Sequence, residues 1–257
     1  MDPNDVSRRE PAGLHLRLLG RFELYQGTCP LHVSPSGERL LAYLGIRSEP
    51  VGRGSAAAEL WPGCTDARAA ANLRSAVWRL PGHDQGGLIA ASPQHLALDA
   101  RVSVDLHDLT RQVDPGGAAR RSGTDVGVDV LRQDVLPEWP EEWLIGTREW
   151  FRQIRLHALE ALCDRYRDDG RLDAALNAGI TAVAADPLRE SAHRRLTLVH
   201  IEEGNFAEAL RQYDVFRRLM RTELGLPPSP HFRRLVAPLL GRPLDGSHGA
   251  EPLSQSA

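Results

Sequence analysis

A chain of 257 residues carries enough apolar side chains for one or two modest cores, and a formal net charge of −3 gives it no global attraction to nucleic acid. All 31 basic residues are arginine. Without lysine the chain cannot supply a Walker-type phosphate loop, a Schiff base or a Ser-Lys nucleophile, each of which needs an ammonium group.

Cys29, Cys64 and Cys163 lie far apart, with no CxxC pair or nearby Cys/His ligand set, so neither a zinc site nor a disulfide framework is expected. No cofactor is implied, and three unpaired thiols suit a reducing cytoplasm. No apolar run approaches the ~20 residues of a membrane span, and the start MDPNDVSRREPAG lacks the apolar core of a signal peptide. The expectation is a soluble cytoplasmic protein, in contact with the nucleoid and not with a membrane.

Residues 1–12 are polar and Pro-containing, a flexible lead. Leu14, Leu16 and Leu18 then alternate with polar neighbours, and after Gly20 the alternation resumes at Phe22 and Leu24, which predicts an antiparallel pair. A short strand is expected over residues 30–33. Ser34-Pro35 opens a helix whose leucines at 40, 41 and 44 cover one face of that sheet. Ser55 is placed to cap a second helix over 56–61, which Pro62-Gly63 ends.

A third helix follows over residues 65–80. Thr65 or Asp66 caps its start, an alanine run carries it forward, and Pro81 cannot continue it. Ala69, Leu73, Ala76, Val77 and Leu80 form its buried stripe. The remaining faces carry Arg68, Asn72, Arg74, Ser75, Trp78 and Arg79. Arginine forks fit phosphate oxygens and the acceptor edge of guanine, and Asn and Ser make shorter contacts, so this is equipment for a major groove. The plainer alternative is a solvated amphipathic helix with ordinary surface arginines. Its neighbours weigh against that: the preceding helix and a tight Pro-Gly turn make a helix-turn-helix, and beyond a flexible segment at 82–87 the runs 88–90 and 96–98 flank Ser92-Pro93-Gln94-His95 as a hairpin. A hairpin directly behind a recognition helix is a wing.

The stretches LRLLGRFEL at 16–24, ELWPG at 59–63, ANLRSAVWRL at 71–80 and VSVDLHDL at 102–109 resemble the DNA-binding domain of the Streptomyces antibiotic regulatory protein (SARP) family, itself similar to the effector domains of response regulators. The resemblance implies that the third helix enters the major groove, with Gln94 and His95 of the wing near the backbone. It also implies that Trp61, Pro62, Gly63 and Cys64, in the turn before that helix, face RNA polymerase. The chain departs from the pattern between Leu80 and Leu88, where the segment is short and has no basic run.

Helical spacing takes over from residue 105, with short helices at 105–113 and 126–131 and an irregular segment at 136–143. Trp143, Trp150 and Phe151 suit either a ligand cage or a core, and core is expected. After a long helix at 146–168 a repeat appears: Gly170 is answered by Gly204 and Ala175-Leu176 by Ala209-Leu210, an offset of 34 residues, the period of the tetratricopeptide unit. Tyr166, Ala175, Ala182 and Pro187 hold the unit's positions in the first copy, Ala209 and Tyr213 in the second, which lacks the final proline. Helices are expected at 171–185, 188–203, 206–222 and 230–240, with a disordered tail at 242–257. WLIGTREWFRQIRLHALEAL, PLRESAHRRL, EGNFAEALRQY and ELGLPPSP resemble the bacterial transcriptional activator domain (BTAD) of the same family.

His193 and His200, seven residues apart with acids nearby, invite a metal reading, but their spacing fits no ligand motif and a polar helix face is expected. Asp168-Asp169 reads as a solvated turn, and no nucleophile constellation appears, so the chain is not expected to be an enzyme. The expected fold is α+β then all-α: a winged helix-turn-helix of response-regulator effector type at 13–104, followed by a TPR-like helical domain at 105–241. The expected function is a small SARP-type activator without an appended ATPase. It would bind direct repeats in double-stranded promoter DNA as a homodimer and recruit RNA polymerase through its sigma factor, for secondary-metabolite genes. The alternatives are a TPR-type adaptor and a regulator whose helical domain senses a metabolite.

Overall fold

The computed structural model describes residues 13–81, 87–113 and 126–241. The expected lead at 1–12, the tail at 242–257 and most of the flexible segment at 82–87 lie outside them. The chain divides into two compact units, residues 1–154 and 155–257.

The first unit is built on β1 (Leu14–Arg17), β2 (Glu23–Gln26), β3 (Cys29–Pro30) and β7 (Val102–Val104), in the order β3-β2-β1-β7. β1 and β2 are antiparallel with Leu16 opposite Leu24, and β7 lies parallel to β1 with Val104 opposite Leu16, so three buried side chains share the inner face. A parallel pair cannot be closed by a hairpin. The crossover here is the whole run of helices and hairpin between β3 and β7. Asp105 fastens its return: the amides of Leu18 (2.9 Å), Leu19 (3.0 Å) and Leu106 (2.7 Å) donate to its carboxylate. Burial pushes that carboxyl above its ordinary pKa in spite of these donors. The third strand is shorter and earlier than the expected 30–33, ending at Pro30, which has no amide to extend the ladder.

α1 (Pro35–Gly45) begins as expected, with the Gly37 amide donating to Ser34 Oγ at 3.3 Å. It buries Leu40, Leu41, Tyr43 and Leu44. Gly45 lets it lie close on the sheet, since a Cβ there would stand 2.7 Å from Leu16 Cδ2. β4 (Val51–Gly52) leads into α2 (Arg53–Leu60), so Ser55 sits inside the helix and caps nothing. Pairing of β4 with the later strand β6 (His95–Leu98) turns the chain early, and the helix starts at once. α3 (Asp66–Trp78) follows with Thr65 at the N-cap position, where the Thr65 side chain makes no capping bond and the backbone alone closes the first turn, Ala69 N–H donating to Thr65 O at 2.8 Å. The buried stripe is Ala69, Leu73, Ala76 and Leu80, with Val77 half-buried at its edge. β5 (Ile89–Ala91) and β6 form the hairpin, in a sheet ordered β4-β6-β5.

α4 (Asp105–Val113) packs on β1 and β7, and α5 (Val128–Leu131) precedes a strap that returns to the sheet. Leu19 bridges Val135, and the Leu136 amide donates to Leu18 O at 3.0 Å. Trp139 stacks on Phe22, Trp143 meets Tyr43 edge-on, and Arg39 pairs with Glu141 at 2.8 Å. These contacts place residues 105–154 in the same compact unit as the sheet, fifty residues past the junction at 104/105 that the change of periodicity suggests.

The second unit begins within α6 (Ile145–Asp168) and continues through α7 (Leu172–Ala185), α8 (Glu190–Glu202), α9 (Phe206–Leu224) and α10 (Pro230–Val236), with a 3-10 turn at Ala237–Leu240. Gly170 and Gly204 take the left-handed conformation (φ +72° and +73°) that sharp helix-helix turns need, which accounts for their 34-residue echo. Gly179 admits Leu196, whose Cδ1 would meet an added Cβ at 3.3 Å. Glu160, 6% exposed at its side chain, receives Arg189 at 2.7 Å and Arg195 at 3.4 Å and accepts from Ser191. His193 is buried, contrary to the expected polar face. One ring nitrogen lies 2.9 Å from Pro187 O, the other 2.6 Å from Gln212 Nε2, and the ring packs on Phe216. Among the described residues no group of side chains is arranged to hold a metal ion, and no helix is long and apolar enough to cross a membrane.

Candidate nucleic-acid interface

α3 presents the side chains on which the functional expectation rests. Arg68, Arg74, Ser75, Trp78 and Arg79 are exposed, Trp78 at 69%, while Asn72 is half-buried. Arg74, Ser75, Trp78 and Arg79 line one shallow depression over the last two turns of the helix. Residues 67, 70 and 71 are alanines, so the first half of the helix is slim and Arg68 stands out alone.

The electrostatics separate these arginines from their neighbours. Among the described residues of the first unit other guanidinium groups are engaged: Arg17 and Arg21 with Glu23, Arg39 with Glu141, Arg47 with Glu59, Arg101 with Asp99 and Arg152 with Glu149. Arg148 is spent on the carbonyls of Val135, Leu136 and Trp139. Among the described residues, Arg68, Arg74 and Arg79 have no acidic or carbonyl partner in the protein. A guanidinium carries five donors in a planar fork. Three such forks on one side of a helix leave it rich in donors and poor in acceptors, the complement of phosphate and of the guanine major-groove edge.

Asn72 turns partly inward. Its Nδ2 lies 3.9 Å from Cys64 Sγ, and Cys64 N–H donates to Trp61 O at 3.1 Å, so this amide ties the turn between α2 and α3 to the second turn of α3. Trp61, half-buried, ends α2 in an extended-side conformation (φ −134°, ψ 61°); Pro62 and Gly63 are exposed and Cys64 is half-buried.

The hairpin tip closes as Ser92-Pro93-Gln94-His95. The Ser92 amide donates to His95 O at 2.9 Å, and the His95 amide returns a bond to Ser92 Oγ at 2.9 Å. Gln94 and His95 are both exposed. Arg53, which the sequence pattern did not single out, fixes this tip: its amide donates to Gln94 O (2.9 Å) and its Nε to Ser92 O (2.8 Å). The first residue of α2 therefore grips the hairpin while α2 packs on α3. The only hint in the sequence was an arginine placed directly after the extended Val51-Gly52.

Residues 98–240 match the family model of the bacterial transcriptional activator domain. The chain is similar to regulatory protein AfsR of Streptomyces coelicolor, 32% identical over 252 residues that cover 91% of this chain and 25% of that protein. AfsR of Streptomyces griseus is 28% identical over 247 residues, covering 88% and 24%. The chain thus spans about a quarter of the length of the curated relatives it matches. The structure of Mycobacterium tuberculosis EmbR in complex with a low affinity phosphopeptide shares the fold, with a TM-score of 0.67 at 21% identity over 90% of this chain and 66% of that one. In this chain an N-terminal α+β part precedes a helical part.

Proposed function

The chain belongs to the family of the bacterial transcriptional activator domain, which the Streptomyces antibiotic regulatory proteins share, and from that premise we propose that it activates transcription by laying α3 in the major groove of promoter DNA. The observation that carries this reading is the set of three arginines, Arg68, Arg74 and Arg79, without an acceptor among the described residues. Arg74, Ser75, Trp78 and Arg79 are the proposed groove contacts, with Arg68 and Asn72 at the edges and Gln94 and His95 against the backbone. On this reading the first unit is a winged helix-turn-helix, the hairpin is its wing, and the second unit is a TPR-like scaffold.

From residue 14 to 104 the sequence has nine arginines against seven acids, a net of +2. So small an excess neutralises few phosphates, and each one contributes only about −0.9 to the salt slope. Useful affinity then comes from two copies side by side on direct repeats, which is the proposed homodimer. Trp61, Pro62, Gly63 and Cys64 are the proposed contact to RNA polymerase and its sigma factor, and secondary-metabolite genes the proposed targets, in the cytoplasm at the nucleoid. The exposed Pro62 and Gly63 beside an Asn72-braced turn support a rigid protein contact there.

Footprinting across the protein's own genomic neighbourhood, followed by gel-shift titration of Arg74→Ala, tests the reading. A base-reading Arg74 costs about 1–3 kcal/mol of binding when truncated. Unchanged binding by a folded Arg74→Ala protein removes that residue, and failure to shift any promoter fragment at low salt leaves the adaptor reading in its place.

A further inference from the structure

Of the three large aromatics at the start of α6, the structure buries Phe151 and seats Trp143 against Tyr43, but leaves Trp150 47% exposed. Trp150 borders a cleft of about 510 Å3 that lies wholly within the first unit, between the C-terminal end of α1, α4 and the first turns of α6. That size falls within the roughly 300–1,000 Å3 of small-molecule sites. Its apolar surface is the indole of Trp150 and the side chain of Ile46. Its polar groups are Ser48 beyond α1, His107, Thr110 and Arg111 from α4, and Thr147 from α6.

The chemistry of the lining selects a ligand. Arg111 leans on Asp108, yet a guanidinium fork bonded to one carboxylate keeps further N–H donors for another acceptor. The Thr110 hydroxyl is spent on His107 O at 3.0 Å. The His107 ring is bonded to the Ile46 backbone, and burial lowers its pKa, so it stays neutral and does not repel or neutralise an incoming charge. What remains is one flat apolar wall beside a donor-rich rim.

We propose that this cleft binds a planar aromatic molecule bearing an acidic or carbonyl oxygen, stacked on Trp150 with its oxygen at Arg111. The site shares no residue with the proposed DNA face of α3, and every residue that lines it belongs to the first unit. Gly146 also lines the cleft, and a Cβ there meets nothing within 4 Å, so Gly146→Leu is the substitution chosen to crowd it.

The test is isothermal titration of the whole protein with 2-naphthoate, beside Trp150→Ala and Gly146→Leu. The expected result is saturable one-to-one binding, with a dissociation constant of about 1 mM or tighter for a ligand this small. Trp150→Ala weakens it about fivefold or more, and Gly146→Leu abolishes it. Both variants keep the native circular dichroism and melting temperature, Trp150 being a surface residue. Absence of saturation in the parent protein, or a dissociation constant that either variant leaves within twofold, overturns the proposal. No DNA enters this titration, so its failure is separable from failure of the promoter reading.

Discussion

The same side chain plays opposite parts in the two units. On α3 of the first unit Arg68, Arg74 and Arg79 point outward with no acceptor among the described residues, whereas in the second unit Arg189 and Arg195 of the α8 region converge on the buried Glu160, and Arg167 is shared among Asp164, Asp168 and Glu202. An arginine largely buried on a buried carboxylate, or shared among several acids, has little left for a partner. A solvated one costs the fold almost nothing and keeps its full donor set. The contrast sets the proposed binding face in one unit against a structural network in the other, although the cations in both are arginines.

Breaking the network should show the larger effect. Glu160→Ala strands Arg189 and Arg195 near the core, and because those partners are 19% and 25% exposed the loss should be about 2–3 kcal/mol of stability, read from urea unfolding of the helical unit. If the comparison is right, Arg74→Ala leaves the same unfolding curve unmoved. Arg53→Ala lies between the two classes: it frees Ser92 O and loosens the hairpin tip, with an expected cost of about 1 kcal/mol in promoter binding and little change in melting. Equal losses of stability and binding would make Arg53 merely structural.

Arg79→Ala sharpens the contrast within α3. If Arg79 meets phosphate, affinity falls about equally on all sequences and the logarithmic salt slope drops by about 0.9. A sequence-selective loss with the slope intact would instead make it a base reader.

The smallest effect is on pH. Burial lowers the pKa of His193 in the folded state, so the unfolded chain takes up the proton first. The stability His193 contributes is whole above its ordinary pKa of about 6.5 and is lost as the pH falls below that. Melting of the second unit should therefore weaken on acidification from about pH 7, and His193→Gln should flatten that part of the profile. Glu160, with its pKa lowered by Arg189, Ser191 and Arg195 against the opposing effect of burial, adds a further loss only in the carboxylate range.

Much of this architecture was legible residue by residue. Thr65, the alanine run and Pro81 bracket α3 within two residues of its ends, and the runs 88–90 and 96–98 around Ser92-Pro93-Gln94-His95 give the hairpin. Gly170 and Gly204 betray the helical turns because few other residues adopt a positive φ. What failed depended on distant chain. Ser55 is a sound capping residue in a place where β4 pairs with β6 and starts the helix early. His193 looks like a surface histidine until Pro187 and Gln212 supply its two partners. Trp150 has the size of a core residue, but its neighbour Phe151 takes the inward direction and the helix rotates Trp150 out.

The sequence by itself determined the bounds of α3, the helical turns at Gly170 and Gly204, and which side chains share the outer faces of α3, because capping, periodicity and glycine conformation act over a few residues. Only the tertiary structure decided which of those side chains are available. The parallel seating of β7 on β1, the grip of Arg53 on the hairpin and the pairing of Arg39 with Glu141 join residues far apart in the chain. Such pairings leave no local pattern, since a guanidinium finds its acceptor through space and not along the backbone.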